Sequence, residues 1–183
     1  MAIVGNGTVG KTTLLMKFSK QDIRNEFIPS VLDLYTEEKN LTGTPYKITF
    51  CDTAGSSDYE RIRPLAYEQA NFVFVVYSCV NPPSFSSVTS TWLPEIGELA
   101  PTARLILVAT KIDLRGDRET IAKLNEKYQK KPITEKEGRA LAKQMHAVAF
   151  FETSSFTGSG VDDLFDFVYK FDLNAEEHHC AIF

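Results

Sequence analysis

Nine residues near the start of the chain, Gly5–Thr13, read GNGTVGKTT and carry two phosphate-binding patterns at once. Gly5, Gly7 and Gly10 fit G-x-G-x-x-G, the turn that admits the pyrophosphate of a dinucleotide. Extended to Lys11 and Thr12, the same stretch fits G-x-x-x-x-G-K-[ST], the cradle of a nucleoside triphosphate. Both patterns use glycine so that backbone can approach phosphate, and both open a helix whose first N–H groups face the anion. Lys11 and Thr12 separate them. A dinucleotide turn has no need of an amine beside a hydroxyl. A triphosphate loop does: the amine reaches the β- and γ-phosphates and the hydroxyl supplies oxygen to Mg2+. Glu26 lies near the offset of a ribose-binding acid, so that position gives no veto of a hydride-transfer domain.

Two further motifs point the same way. In CDTAG (51–55), Asp52 ends an apolar run, where a carboxylate can hold a Mg2+-bound water, and Gly55 leaves its N–H open to a γ-phosphate. Thr110-Lys111-Ile112-Asp113 addresses the base. A carboxylate only accepts hydrogen bonds. Guanine offers it a ring N–H and an exocyclic amine, whereas adenine presents an acceptor at the ring position. A site that leaves buried polar groups unpaired rejects the wrong ligand by orders of magnitude. Lys111 can lay its methylene stem across the base. The three motifs together imply GTP or GDP with Mg2+ as the ligand and leave a dehydrogenase remote.

These residues need elements to position them. Ala2–Val4 reads as a short strand and Lys11–Ser19 as a helix with Leu14, Leu15 and Phe18 at helical spacing. Residues 35–41 and 46–52 read as strands joined by a turn at Thr42-Gly43-Thr44-Pro45. Phe72–Ser78, Arg104–Thr110 and Ala149–Thr153 are further apolar strands. Thr134 and Glu137 form a capping box ahead of Ala140, Leu141 and Met145. Val161, Leu164, Phe165, Val168 and Phe171 make the apolar stripe of a last helix. Alternating strands and helices imply an α/β fold, a mostly parallel sheet covered on both faces. Ligands in such folds bind at the carboxyl ends of strands, which gathers GNGTVGKTT, CDTAG, VATKID and ETSSF on one rim. Between Asp113 and Thr134 lie about twenty residues, where ~2–6 are usual. Within them ETIAKLNEKYQKK has helical periodicity and reads as an inserted surface helix.

The bulk numbers bound the answer. The chain has 183 residues, 43% of them hydrophobic, which suits one domain with a full core. A net charge of −4 argues against a broad nucleic-acid surface. Cys51 and Cys79 sit in apolar, strand-like runs and read as reduced buried thiols. Glycines interrupt the apolar start, so no signal peptide is expected, and the longest apolar run, Phe72–Tyr77, is far too short to span a bilayer. An intracellular monomer is the expectation.

With these residues in view, the chain resembles a Ras-superfamily GTPase, and within it the Rho family. GNGTVGKT resembles the phosphate loop, EFIPSVLDLY (26–35) the first switch, DTAGSSDYERIRPL (52–65) the second, TKIDLR (110–115) the guanine motif and ETSS (152–155) the remaining base loop. The resemblance implies a P-loop NTPase fold: a mostly parallel six-stranded sheet with helices on both faces and a Rho-type insert helix. Residues 1–173 would form the GTPase domain, with the insert at about 116–131, and 174–183 a tail. Matching positions assign nucleotide contacts to Gly5, Asn6, Gly7, Thr8, Val9, Gly10, Lys11, Thr12 and Thr13 in the phosphate loop. The switches would contribute Ile23, Phe27, Pro29, Ser30, Asp52, Ala54 and Gly55, and the base loops Thr110, Lys111, Asp113, Leu114, Ser154, Ser155 and Phe156. Mg2+ would rest on Thr12, Ser30 and, through water, Asp52, while Lys11, Gly55 and Ser56 would serve catalysis. The implied partners are effectors such as formins or kinases that control actin, exchange factors, GTPase-activating proteins and a lipid-shielding dissociation inhibitor.

Several positions depart from the Rho pattern, Asn6 and Thr8 as tolerable loop variants and four others with larger consequences. Ser56 stands where glutamine orients the attacking water in the family. Its side chain is shorter and lacks the amide, so slow hydrolysis is expected; some atypical Rho proteins with serine here remain GTP-bound. Ile23 replaces a phenylalanine that packs on guanine. Aromatic stacking on a base is worth ~1–3 kcal/mol, so fast exchange is expected. Ser30 replaces threonine and Phe27 tyrosine, which loosens the active switch. The first strand is also shorter than the family's, so either the sheet tolerates truncation or the start lies upstream. Two classes stay open: a cycling hydrolase switch, and a non-cycling, GTP-loaded platform. The last residues, Cys180-Ala181-Ile182-Phe183, form a C-a-a-X ending that favours a geranylgeranyl group on Cys180. Asp172, Glu176 and Glu177 flank it and would be repelled by an anionic leaflet, so reversible residence between the cytoplasm and the cytoplasmic face of the plasma membrane is expected.

Overall fold

Seven consecutive side chains, Phe72–Ser78, are all buried, as a strand covered on both faces requires. The computed structural model describes residues 1–19, 32–41, 44–53, 63–68 and 70–179, with side chains described over 1–19, 49–50, 64–68 and 70–171. The elements run β1 (Ala2–Val4), α1 (Lys11–Phe18), β2 (Leu32–Leu41), β3 (Thr44–Thr53), α2 (Arg63–Tyr67) and β4 (Phe72–Ser78). Next come α3 (Pro82–Ser87), a π-helical turn (Val88–Trp92), α4 (Leu93–Leu99) and β5 (Arg104–Thr110). A 3-10 turn (Ile112–Gly116), α5 (Arg118–Tyr128), α6 (Glu135–Gln144), β6 (Ala149–Glu152) and α7 (Val161–His179) complete the order. The sheet runs β2-β3-β1-β4-β5-β6. Only β2 and β3 pair antiparallel; every other neighbouring pair is parallel.

Strand periodicity divides the core in two. Val73, Val75 and Tyr77 of β4 and Leu107 and Ala109 of β5 pack with Trp92, Ile96, Leu141 and Met145 on one face. Phe72, Phe74 and Val76, with Ile106 and Val108, face Leu14, Leu15, Leu164, Phe165 and Val168 on the other. Successive strand side chains point to opposite faces, so one apolar run serves both layers. On the second face Phe18 of α1 stacks on Phe165 of α7 at 3.6 Å, and Phe50 of β3 meets Phe165 edge-on at 5.2 Å. Fully burying such a ring stabilises the fold by ~1.5–3 kcal/mol, so this aromatic knot holds the helix that starts at the phosphate loop.

The capping box forms: Thr134 Oγ1 accepts from Glu137 N, and a Glu137 carboxylate oxygen accepts from Thr134 N at 2.8 Å. The insertion after Asp113 folds into α5, whose N-cap Asp117 accepts from Thr120 N at 2.7 Å. Leu124 is its single buried side chain. Two expectations need correction. Thr44 and Pro45 are not turn residues; they lie in β3 opposite Leu41 and Asn40. Among the described residues β1 pairs with β3 only at Cys51 and Asp52. The Pro45 end therefore has β2 as its one neighbour, and proline is tolerated where a strand lacks a second partner. Cys79 lies just past the end of β4 rather than within a strand. It is buried and unbridged.

Candidate nucleotide site

The phosphate end of the site is built from backbone. Gly5 leaves β1 at φ +146°, where a Cβ would lie 2.2 Å from the Val76 carbonyl oxygen, so only glycine fits. Gly10 is the N-cap of α1 at φ +102° and, as a glycine, brings no capping side chain. Lys11 is the first residue of α1 and only 6% exposed. Its ammonium donates to the carbonyls of Gly5 at 2.7 Å and Asn6 at 3.0 Å. Those bonds stretch the amine back across the loop, and a buried ammonium needs such partners to stay charged. Thr8 holds a left-handed backbone, φ +62°, and its carbonyl accepts from Lys111 Nζ at 2.8 Å. The Val9 carbonyl accepts from Thr110 Oγ1 at 2.5 Å. Peptide planes are trans among the described residues. The N–H groups of Val9 and Gly10 therefore point opposite to those two carbonyls, away from the base loop. A nest of that kind is suited to an anion.

The base end is built from side chains. Thr110 ends β5 and its hydroxyl also donates to the Tyr77 carbonyl at 3.1 Å. Lys111 adopts φ +60°, and burial lowers its pKa from the ordinary lysine value. The 3-10 turn then presents Asp113 at the surface. Ser154, fully buried after β6, donates from Oγ to Asp113 Oδ1 at 2.5 Å and accepts from Thr157 N at 3.1 Å. The carboxylate is thus oriented by a hydroxyl from a loop 41 residues away. Gly158 N donates to Ser154 O at 2.8 Å, closing a turn whose apex residue, Phe156, is 85% exposed.

The structure gathers Gly5–Thr13, Thr110–Leu114 and Ser154–Phe156 at the carboxyl ends of β1, β5 and β6, as the sequence motifs require. Val9 contributes backbone only, since its side chain is buried in the core. Thr12 and Thr13 are half-buried on the first turn of α1. The Asp52 backbone lies in β3, in register with Ile3. Ile23, Phe27, Pro29, Ser30, Ala54, Gly55, Ser56 and Cys180, and the Asp52 side chain, lie outside what the structure describes.

Three supporting contacts are not read from the motifs. Arg115 clasps Glu152 with both terminal nitrogens and donates from Nε to the Ile133 carbonyl at 3.0 Å. It thereby joins the two base loops. The signal was present: opposite charges stand two residues after Asp113 and two before Ser154. Asn6 is held by Trp92 Nε1, which donates to Oδ1 at 2.9 Å, while its Nδ2 donates to Ser87 Oγ at 3.1 Å. Its carboxamide therefore braces the loop against α3 and the π turn. Cys79 donates from Sγ to the Lys111 carbonyl at 3.2 Å, and burial pushes its thiol up to about 11. No sequence pattern marks either contact.

A model of the Ras family matches residues 1–171. The chain belongs to the Ras family. It is a small GTPase, a molecular switch of the class that binds GTP or GDP with Mg2+ and hydrolyses GTP. Ras-family GTPases generally work through effectors, exchange factors and GTPase-activating proteins. The donor set fits that ligand. A buried ammonium, outward amides and a glycine-started helix suit a phosphate chain. The oriented carboxylate suits guanine, and the Thr12 hydroxyl on the first turn of α1 suits a hard divalent ion.

Proposed function

We propose that this Ras-family chain is a Rho-type switch with slow hydrolysis and fast exchange, whose GTP-loaded form binds effectors such as formins or kinases to control actin. The observation that carries the Rho-type reading is α5. It is an extra N-capped helix between the guanine loop and the capping box of α6, where a bare connector would suffice. Bound Mg2+, held by Thr12, Ser30 and, through water, Asp52, would neutralise developing phosphate charge. The Gly5 and Asn6 carbonyls hold the Lys11 ammonium across the loop, where its charge offsets that of a phosphate chain. Asp113, aimed by Ser154, selects guanine. Ser56 cannot orient water as a glutamine amide does, and Ile23 offers the base no aromatic face.

Those two substitutions favour a second reading, a constitutively GTP-bound scaffold with negligible hydrolysis. In a GTP-rich cytosol, slow turnover and fast exchange keep the triphosphate in place. Geranylgeranylation at Cys180 would carry the chain reversibly to the cytoplasmic face of the plasma membrane, with a dissociation inhibitor shielding the lipid in the cytoplasm. Among the described residues no helix is long and apolar enough to cross a membrane. Single-turnover hydrolysis by the wild type and Ser56→Gln, begun from the nucleotide that copurifies, tests the proposal. It expects guanine nucleotide on the purified chain and a rate raised by glutamine. Equal rates would overturn the role of Ser56, and copurifying adenine nucleotide would overturn the switch.

A further inference from the structure

A cavity of about 280 Å³ lies behind the base loop, between the phosphate loop, the end of β4 and α5. Its walls include Thr8, Ser78, Asn81, Lys111, Lys123 and Lys127, over apolar Leu124. Asp113, Ser154 and Phe156, which serve the base, do not line it. Three of the lining residues are lysines and none is acidic, in a chain whose net charge is −4. Lys123 pairs with Glu119 one turn earlier, at 2.5 Å, yet stays 72% exposed, and Lys127 lies 5.1 Å over the Tyr128 ring. Neither tie is strong, because solvent screens an exposed i,i+4 pair. Lys111 spends one of its three donors on the Thr8 carbonyl.

We propose that this cavity binds a compact phosphate-bearing polyol, and that its occupancy slows nucleotide release. Polyhydroxy phosphate matches the lining: ammonium groups for the anion, and the hydroxyls and amide of Thr8, Asn81 and Thr120 for the polyol. Coupling follows from the shared wall. Thr8 belongs to the phosphate loop and Lys111 to the base loop, and the Lys111–Thr8 bond ties them. An anion bound by the remaining Lys111 donors restrains that tie without displacing it. The binding itself needs no nucleotide; the effect on release rests on the GTPase reading.

The test uses the full chain loaded with GDP and Mg2+. Inorganic phosphate, inositol trisphosphate and vesicles with or without a phosphoinositide are titrated in turn. Binding is read from the backbone amide resonances of Lys111, Thr120 and Leu124, and release from displacement of a fluorescent GDP. Saturable shifts at those three amides with slowed release are expected from inositol trisphosphate. The same effect from phosphoinositide vesicles alone identifies a lipid headgroup as the source and supports the shared polyol-phosphate chemistry; an equal effect from inorganic phosphate would overturn the polyol and leave a simple anion site. Lys123→Gln with Lys127→Gln, at two exposed positions of α5 and with the melting temperature measured alongside, should weaken binding about tenfold. No saturable shift with any probe, shifts that persist in the double variant, or an unchanged release rate would overturn the proposal. Failure to retain GDP at all would count against the switch reading instead, since the amide shifts can be followed without nucleotide.

Discussion

The two ends of the nucleotide seat are made differently. At the phosphate end, carbonyls and amides of one short loop are set by Gly5 and Gly10 and spanned by the ammonium of Lys11. At the base end, Asp113 is aimed by Ser154, and the loops that carry them are clasped by Arg115 and Glu152. The first draws its groups from one loop, with Lys11 buried beneath exposed Gly7 and Thr8; the second is assembled from distant segments, with Asp113 exposed over a buried Ser154. Gripping a phosphate chain needs charge and amides in a rigid frame, which one loop can supply. Choosing a base needs a few directed side chains, which only converging loops supply.

The comparison breaks most visibly at Lys11. Lys11→Ala removes an ammonium and leaves two carbonyls without their donor. Hydrogen bonds to charged groups contribute ~1.5–3 kcal/mol each. GDP affinity measured by calorimetry should fall about a thousandfold while the guanine preference of the residual binding survives. Asp113→Ala should do the reverse in kind: GDP weakens about a hundredfold and the preference for GDP over ADP collapses in competition assays. An intact preference would show that selection lies elsewhere.

A finer test concerns Phe156. It is 85% exposed at the apex of the turn that positions Ser154, and a bound base would cover it. Phe156→Ala should speed GDP release about tenfold, with Phe156→Leu in between, because base–aromatic contact is worth ~1–3 kcal/mol. An unchanged off-rate would remove it from the seat. The smallest effect is under the base loop. Burial raises the Cys79 thiol from 9.0 to about 11. A raised folded value stabilises fully below the unfolded value and loses that contribution as the folded one is passed. Denaturation stability should therefore decline between pH 9 and 11, less steeply in Cys79→Ala. Tyr77, whose hydroxyl burial also raises, accounts for slope that remains above its ordinary value of 10.0.

Much of this was legible beforehand. β1, β4, β5, the capping box of α6 and the stripe of α7 are local patterns, and local patterns survive tertiary context when burial agrees with them. The β2–β3 turn was misread because Pro45 signals a break by its chemistry, while the lack of a second neighbouring strand is a property of the sheet. Side chains of Ser154 and Asp113 were assigned to one seat by motif, but the hydroxyl-to-carboxylate bond that aims them was not.

The order of chemically able residues, GNGTVGKT then CDTAG then TKID, dictated the ligand class, because each motif carries its function in adjacent atoms of one loop. Folding decided the rest: Trp92 on Asn6, Cys79 beneath Lys111, Arg115 across to Glu152, and a lysine-lined cavity behind the base loop. Each joins residues from separate elements, and such distances follow from strand order and helix packing rather than from spacing along the chain.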